Sequence, residues 1–192
     1  MELLFGTFNT DKAREVQAAL GPGFVLRTCR DVPGLGEVDE TEPTLQGNAL
    51  LKARTYAEAS GLPTFADDTG LEVAALGGAP GVYSARFAGP TASYADNVRK
   101  LLDELGTATD RSARFRTVIA YYVAGQKPRY FEGILPGTIA YFAEGEGGFG
   151  YDPVFIPQGD RRTLATYRLE EKNAISHRGQ ALRKLIEFLN AQ

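Results

Sequence analysis

The chain has 192 residues, 43% of them hydrophobic, which suits one globular domain over residues 1–192 with a real core and excludes disorder and fibre. Its 24 acidic side chains outnumber 21 basic ones, for a net charge of −3, so it lacks the positive excess that a nucleic-acid polymer partner requires. The lone Cys29 excludes an intrachain disulfide, no basic-then-apolar leader opens the chain, and no apolar run approaches the ~20 residues that span a bilayer. The expectation is a cytoplasmic protein without a membrane partner.

In chain order, residues 2–7 read as a short apolar strand, 12–20 as a helix stopped by Gly21-Pro22-Gly23, and 24–29 as a second strand. Residues 30–43 are rich in Gly, Pro and acids, a loop carrying Glu37, Asp39, Glu40 and Glu42. Residues 44–60 form a helix with Leu45, Ala49, Ala53, Tyr56 and Ala57 on one face; Asn48 and Lys52, four apart, share another. A strand at 64–66 delivers Asp67 and Asp68, and 71–76 runs extended into Gly77-Gly78-Ala79-Pro80-Gly81. Ser93 caps a helix over 94–105, with Asp96 completing a capping box. Residues 114–124 and 129–134 form a hairpin around Gly125-Gln126-Lys127-Pro128, and 137–142 adds a strand. Leu182, Leu185, Ile186 and Leu189 give the C-terminal helix an apolar face. The mixture predicts an α/β protein with a mixed sheet.

Three segments carry chemistry. In Phe65-Ala66-Asp67-Asp68-Thr69-Gly70-Leu71 two carboxylates stand where an apolar strand breaks into a glycine turn, open to water, a metal ion or a cation. The plainer reading is a turn in which one Asp caps backbone N–H groups. Gly6-Thr7-Phe8-Asn9-Thr10-Asp11-Lys12 joins a strand to a helix, where N–H groups and the dipole attract phosphate. It is no Walker A loop, because Asp11 and Ala13 flank the lysine; an ordinary turn capped by Asp11 is the alternative. Gly147-Gly148-Phe149-Gly150-Tyr151-Asp152-Pro153 suits a clamp on a planar base, or a glycine-rich turn with core aromatics. The single His177, with no second His and no Cys cluster, argues against a zinc site.

Together with Leu76-Gly77-Gly78-Ala79-Pro80-Gly81-Val82-Tyr83-Ser84-Ala85-Arg86 and Glu170-Glu171-Lys172-Asn173-Ala174-Ile175-Ser176-His177-Arg178, the carboxylate and glycine segments resemble the inosine/xanthosine triphosphate pyrophosphatase family nearly end to end. The resemblance implies an elongated mixed β-sheet with flanking helices, two lobes around a central cleft, a homodimer and a Mg²⁺ requirement. It implies hydrolysis of ITP, dITP and XTP to the monophosphate and pyrophosphate, which cleanses the nucleotide pool. Asp68 matches the family's proton acceptor and a metal ligand, with Glu40 the second metal-binding carboxylate. Thr7, Phe8, Asn9, Thr10, Asp11 and Lys12 fall on its phosphate loop, Lys52 on a helix lysine facing the triphosphate, and Thr69 on a hydroxyl that contacts substrate. Phe149, Gly150, Tyr151 and Asp152, completed by Lys172, His177 and Arg178, match its base pocket. Phe8 and Asp11 replace glycines usual in the family, and Thr166 a common Glu. Arg178, a cation opposing a helix dipole, is expected to meet a base oxygen or a carboxylate. Maf-like pyrophosphatases and a catalytically silent nucleotide binder are the alternative classes.

Overall fold

The computed structural model describes residues 1–191. Its elements run β1 (Glu2–Phe5), α1 (Thr10–Ala19), β2 (Val25–Thr28), α2 (Leu45–Ser60), β3 (Thr64–Val73), β4 (Pro80–Gly81), α3 (Tyr94–Leu105), β5 (Ser112–Tyr122), β6 (Arg129–Ile139), β7 (Phe155–Pro157), α4 (Leu169–Ile175) and α5 (His177–Asn190). The sheet order is β2-β1-β3-β5-β6-β7, with β4 on β3. It is mixed: β1 is parallel to β2 and β3, whereas β4 is antiparallel to β3 and β7 to β6. No helix among the described residues is long and apolar enough to cross a membrane.

The chain divides into two compact units, and β3, β5 and β6 each run from one into the other. The first comprises Met1–Asp68, Thr117–Gly133 and the stretch from Arg178. Leu3, Phe5, Val16, Phe65, Ile119, Leu182 and Leu185 form its main core, with the Phe5 and Phe65 rings stacked at 4.7 Å. The small face of α2, Ala49, Ala53 and Ala57, packs with Ala66 and Ala120 in a second cluster. The second unit comprises Thr69–Arg116 and Ile134–His177, around Leu71, Leu101, Phe115, Val154, Phe155 and Leu164.

Several boundaries differ from the sequence expectation. β3 does not stop at Ala66; it continues through both aspartates to Val73, so neither lies at a turn. Gly70 serves close approach: a Cβ there would meet the Gly81 carbonyl oxygen at 2.7 Å, in the β3–β4 pairing where Leu71 faces Gly81. Residues 137–142 form no separate strand, because β6 runs through Pro136, whose carbonyl still accepts from Gln158 N at 2.9 Å. The cap of α1 is Asn9 and not Asp11, and β1 ends at Phe5. The Ser93–Asp96 capping box on α3 is present as expected.

Candidate active site

In a strand, successive side chains point to opposite faces, so Asp67 and Asp68 meet different surroundings. Asp67 is 1% exposed and its two oxygens are divided between cations. Oδ1 accepts from Lys12 Nζ at 2.9 Å, and Oδ2 from Arg178 Nε at 2.9 Å. Burial pushes this carboxyl up, but Lys12 and Arg178 outweigh it and hold it well below the usual carboxylate range. Asp67 is therefore an anion held between two cations, which answers the cost that a buried carboxylate would otherwise carry.

Asp68 looks to α2 and the acidic loop. Its Oδ2 accepts from Asn48 Nδ2 at 3.2 Å, and its Oδ1 lies 3.9 Å from Lys52 Nζ. Lys52 Nζ also donates to Glu40 Oε1, while Asn48 Oδ1 accepts from the Glu42 N–H at 2.9 Å, pinning the loop to the helix. Burial raises the Asp68 carboxyl above the ordinary aspartate value; Lys52 pulls it back and Glu40 pushes it further up. Burial also works against the Lys52 ammonium, yet Asp68 and Glu40 dominate and raise it. The i, i+4 face of Asn48 and Lys52 thus converges on one carboxylate, which makes Asp68 the better proton acceptor of the pair.

The first loop is built around Asn9. Its Oδ1 accepts from Asp11 N at 2.9 Å and Lys12 N at 3.1 Å, so these N–H groups of α1 are satisfied within the protein. Thr7 Oγ1 accepts from Asn9 N at 3.1 Å. Phe8 packs edge-on against Tyr56, with ring centroids 6.3 Å apart, and its carbonyl accepts from the Arg30 guanidinium. Thr10 is the exposed first residue of α1, and Asp11 pairs with Arg14 at 3.6 Å. From this loop Lys12 reaches Asp67. Burial lowers its pKa, Asp67 opposes that, and Lys52 and Arg178 lower it further, so Lys12 shares one electrostatic field with them.

Arg178, in the first turn of α5, meets carboxylates: beside Asp67, its Nη1 donates to Glu15 Oε2 at 2.6 Å. Glu15 and Asn48 are the residues that sequence reasoning did not enter in the site. The signal for Asn48 was its spacing from Lys52. That for Glu15 was its position three residues after Lys12, a spacing that also fits a solvated helix face.

The remaining candidates lie in the second unit, apart from Arg178. Lys172 Nζ donates to Asp152 Oδ2 and lies 4.7 Å from the Phe149 ring centroid. The Phe149 N–H donates to the same Asp152 oxygen at 2.9 Å. Gly148, at φ +68°, leaves room for that carboxylate. Tyr151 is buried, its hydroxyl donating to the Ser84 carbonyl at 2.7 Å, and the buried His177 ring stacks on Phe115 at 4.6 Å. Phe149 and Gly150 border a cavity of about 580 Å³ with Tyr94, Val98, Leu102 and Pro153, within the general size range of small-molecule pockets. Thr69 is partly buried on β3.

For a metal ion, no cluster of three or more His, Cys, Asp or Glu side chains exists among the described residues. Glu40 and Asp68 converge on Lys52 and offer two hard oxygen donors, the partial set that suits Mg²⁺ when substrate phosphates and water complete its shell.

A dITP/XTP pyrophosphatase of Flavobacterium johnsoniae is 44% identical over 191 residues, covering 100% of this chain and 99% of that protein. One of Porphyromonas gingivalis is 47% identical, with 98% and 97% covered. Among solved structures, a HAM1 protein from Coxiella burnetii superimposes with a TM-score of 0.91 at 39% identity over 100% of both chains. The Staphylococcus aureus Ham1 protein gives 0.88 at 38%, covering 100% of this chain and 99% of that one. The model of the Ham1 family matches residues 3–188, and with these likenesses the chain belongs to the Ham1 family.

Proposed function

We propose that this chain is a nucleoside triphosphate pyrophosphatase that hydrolyses non-standard purine nucleoside triphosphates, dITP, ITP and XTP, to the monophosphate and pyrophosphate. Relatives at 44–48% identity named dITP/XTP pyrophosphatase support the activity. The observation that carries the mechanism is the division of labour in the aspartate pair. Asp67 is held between Lys12 and Arg178, whereas Asp68 has a raised pKa and sits beside Lys52, Asn48 and the Glu40 loop.

A triphosphate is a polyanion, and Lys12 and Lys52 are the cations that receive it. Glu40 and Asp68 would hold Mg²⁺, which when bound offsets phosphate charge. Asn48 fixes one Asp68 oxygen by its hydrogen bond and so orients the carboxylate. Asp68 takes a proton from a water whose oxygen attacks the α-phosphorus; the α–β bridging bond breaks and pyrophosphate leaves with the bond's electron pair. The ammonium groups of Lys12 and Lys52 stabilise the charge that develops on the leaving group. The Phe149 ring offers an apolar surface for the base, Gly150, with nothing within 4 Å of where a Cβ would stand, leaves the backbone approachable, and Lys172 with Asp152 stiffens that segment.

The test is pyrophosphate release from ITP, dITP, XTP, GTP and ATP, with and without Mg²⁺. The expected result is turnover of the first three far above ATP, abolished by chelation while circular dichroism stays unchanged. Equal turnover of ATP, or release of orthophosphate alone, refutes the proposal.

A further inference from the structure

Tyr56 is a buried phenol on α2, 3% exposed, and its hydroxyl in that setting needs a partner. It stands one turn beyond Lys52 and two beyond Asn48, so the three side chains form one stripe along the helix. The acidic loop runs back along that stripe. Asn48 Oδ1 accepts from the Glu42 N–H at 2.9 Å, Lys52 Nζ donates to Glu40 Oε1, and the Tyr56 hydroxyl donates to the Gly36 carbonyl at 3.1 Å. The start of the phosphate loop is shaped around the same ring. A Cβ on Gly6 would meet Tyr56 Cδ2 at 2.7 Å, and Phe8 packs edge-on against Tyr56 with centroids 6.3 Å apart. The Phe8 carbonyl in turn accepts from Arg30 Nε at 3.2 Å and Nη2 at 3.0 Å, where the acidic loop begins.

We propose that Phe8 and Tyr56 are positioning residues, a latch that fastens the acidic loop to α2 and so holds the Glu40 carboxylate at Lys52, where it converges with Asp68; its bearing on the metal rests on the Mg²⁺ reading of that carboxylate pair. The Phe8 ring joins the cluster of Leu4, Cys29 and Tyr56, and Val32, Leu35 and Val38 of the acidic loop pack on the same cluster. Burial of these apolar side chains draws the loop onto α2, and the contacts of Asn48, Lys52 and Tyr56 set its register. A carboxylate on a loop already ordered meets a cation without the entropy cost of ordering the loop first. Loosening the loop at Tyr56 therefore weakens the divalent-ion site while leaving in place the groups that bind phosphate and take the proton.

Tyr56→Phe removes only the hydroxyl and keeps the ring against Phe8; Phe8→Ala removes the ring that packs on it, and Phe8→Leu restores apolar bulk. The first readout needs neither metal nor nucleotide. It is amide hydrogen exchange over residues 34–42 by peptide mass spectrometry, with α3 as internal reference. Exchange there rises roughly two- to tenfold in Tyr56→Phe, as the net loss of one hydrogen bond gives; it rises in Phe8→Ala and returns towards the native rate in Phe8→Leu, while α3 is unchanged. The second readout is pyrophosphate release from ITP titrated with Mg²⁺. In Tyr56→Phe the half-saturating Mg²⁺ concentration rises by a similar factor, with kcat at saturating Mg²⁺ changed less than about twofold. In a Glu40→Gln background the same substitution adds no further shift, because its route of action is gone. Native exchange over 34–42 in Tyr56→Phe or Phe8→Ala, a rise shared equally by α3, an unchanged Mg²⁺ demand, or a loss confined to kcat overturns the proposal. Should the native protein release no pyrophosphate from ITP, the functional reading fails, and the exchange rates alone decide the latch.

Discussion

Replacing Asp67 by Asn keeps the side chain's shape and removes the charge that Lys12 and Arg178 share, each at 2.9 Å and all within the fold. Two cations then face a neutral amide, and breaking a buried pair in this way costs about 3–5 kcal/mol. At about 2–4 °C per kcal/mol for a chain of this size, the melting temperature falls by about 6–20 °C. Asp68→Asn is the opposite case. Asp68 is an acid that burial and Glu40 disfavour as an anion, and an Asn oxygen still accepts from Asn48 Nδ2. Its melting temperature therefore stays near that of the native protein, while kcat for ITP falls about 10²–10⁴-fold with the loss of the base. Thermal melts and pyrophosphate release on the two variants give a crossed pattern: stability is lost at position 67 and turnover at 68. A native melting temperature for Asp67→Asn refutes the assignment of Asp67 as a buried counterion, and near-native kcat in a folded Asp68→Asn refutes the base.

Lys12→Ala and Lys52→Ala each raise KM for the triphosphates by roughly tenfold or more, with less effect on product monophosphate affinity, as inhibition kinetics would reveal. Asp11→Gly lowers KM if the half-buried charge opposes the substrate; a higher KM assigns Asp11 to support of the helix start. Cys29 is buried, and burial pushes its thiol from 9.0 up to about 11. Between these values the unfolded chain binds fewer protons than the folded one, so stability falls as pH rises, by roughly 2–3 kcal/mol over the window. Denaturant melts at pH 8 and pH 10.5 on the native protein and Cys29→Ala measure it, and an equal alkaline loss in both excludes the thiol as the cause.

Local pattern was enough wherever one element decides its own fate. The Ser93–Asp96 box marks the start of α3, and the spacing of Asn48 and Lys52 marks a directed face of α2. The apolar positions of α5 mark its buried side, where Leu182, Leu185 and Leu189 all enter the core. These signals are legible because side chains three or four residues apart meet on a helix whatever surrounds it.

The aspartate pair shows where that logic stops. A single sequence states that two carboxylates are adjacent, and placing them at a turn was the reading that avoided a buried charge; β3 instead runs through both. Alternation along a strand dictates that they face opposite ways, but which face carries Lys12 and Arg178 and which carries Lys52 and Asn48 depends on chain segments up to 111 residues away. The same holds for Glu15, whose only local cue was a spacing shared with countless solvated helix pairs, and for Arg178, whose partners turned out to be carboxylates. Sequence by itself determined the inventory of charges and the elements that carry them. Tertiary structure decided their pairing, because the energy of a buried charge is set by the few ångströms to its nearest counterion and not by its neighbours along the chain.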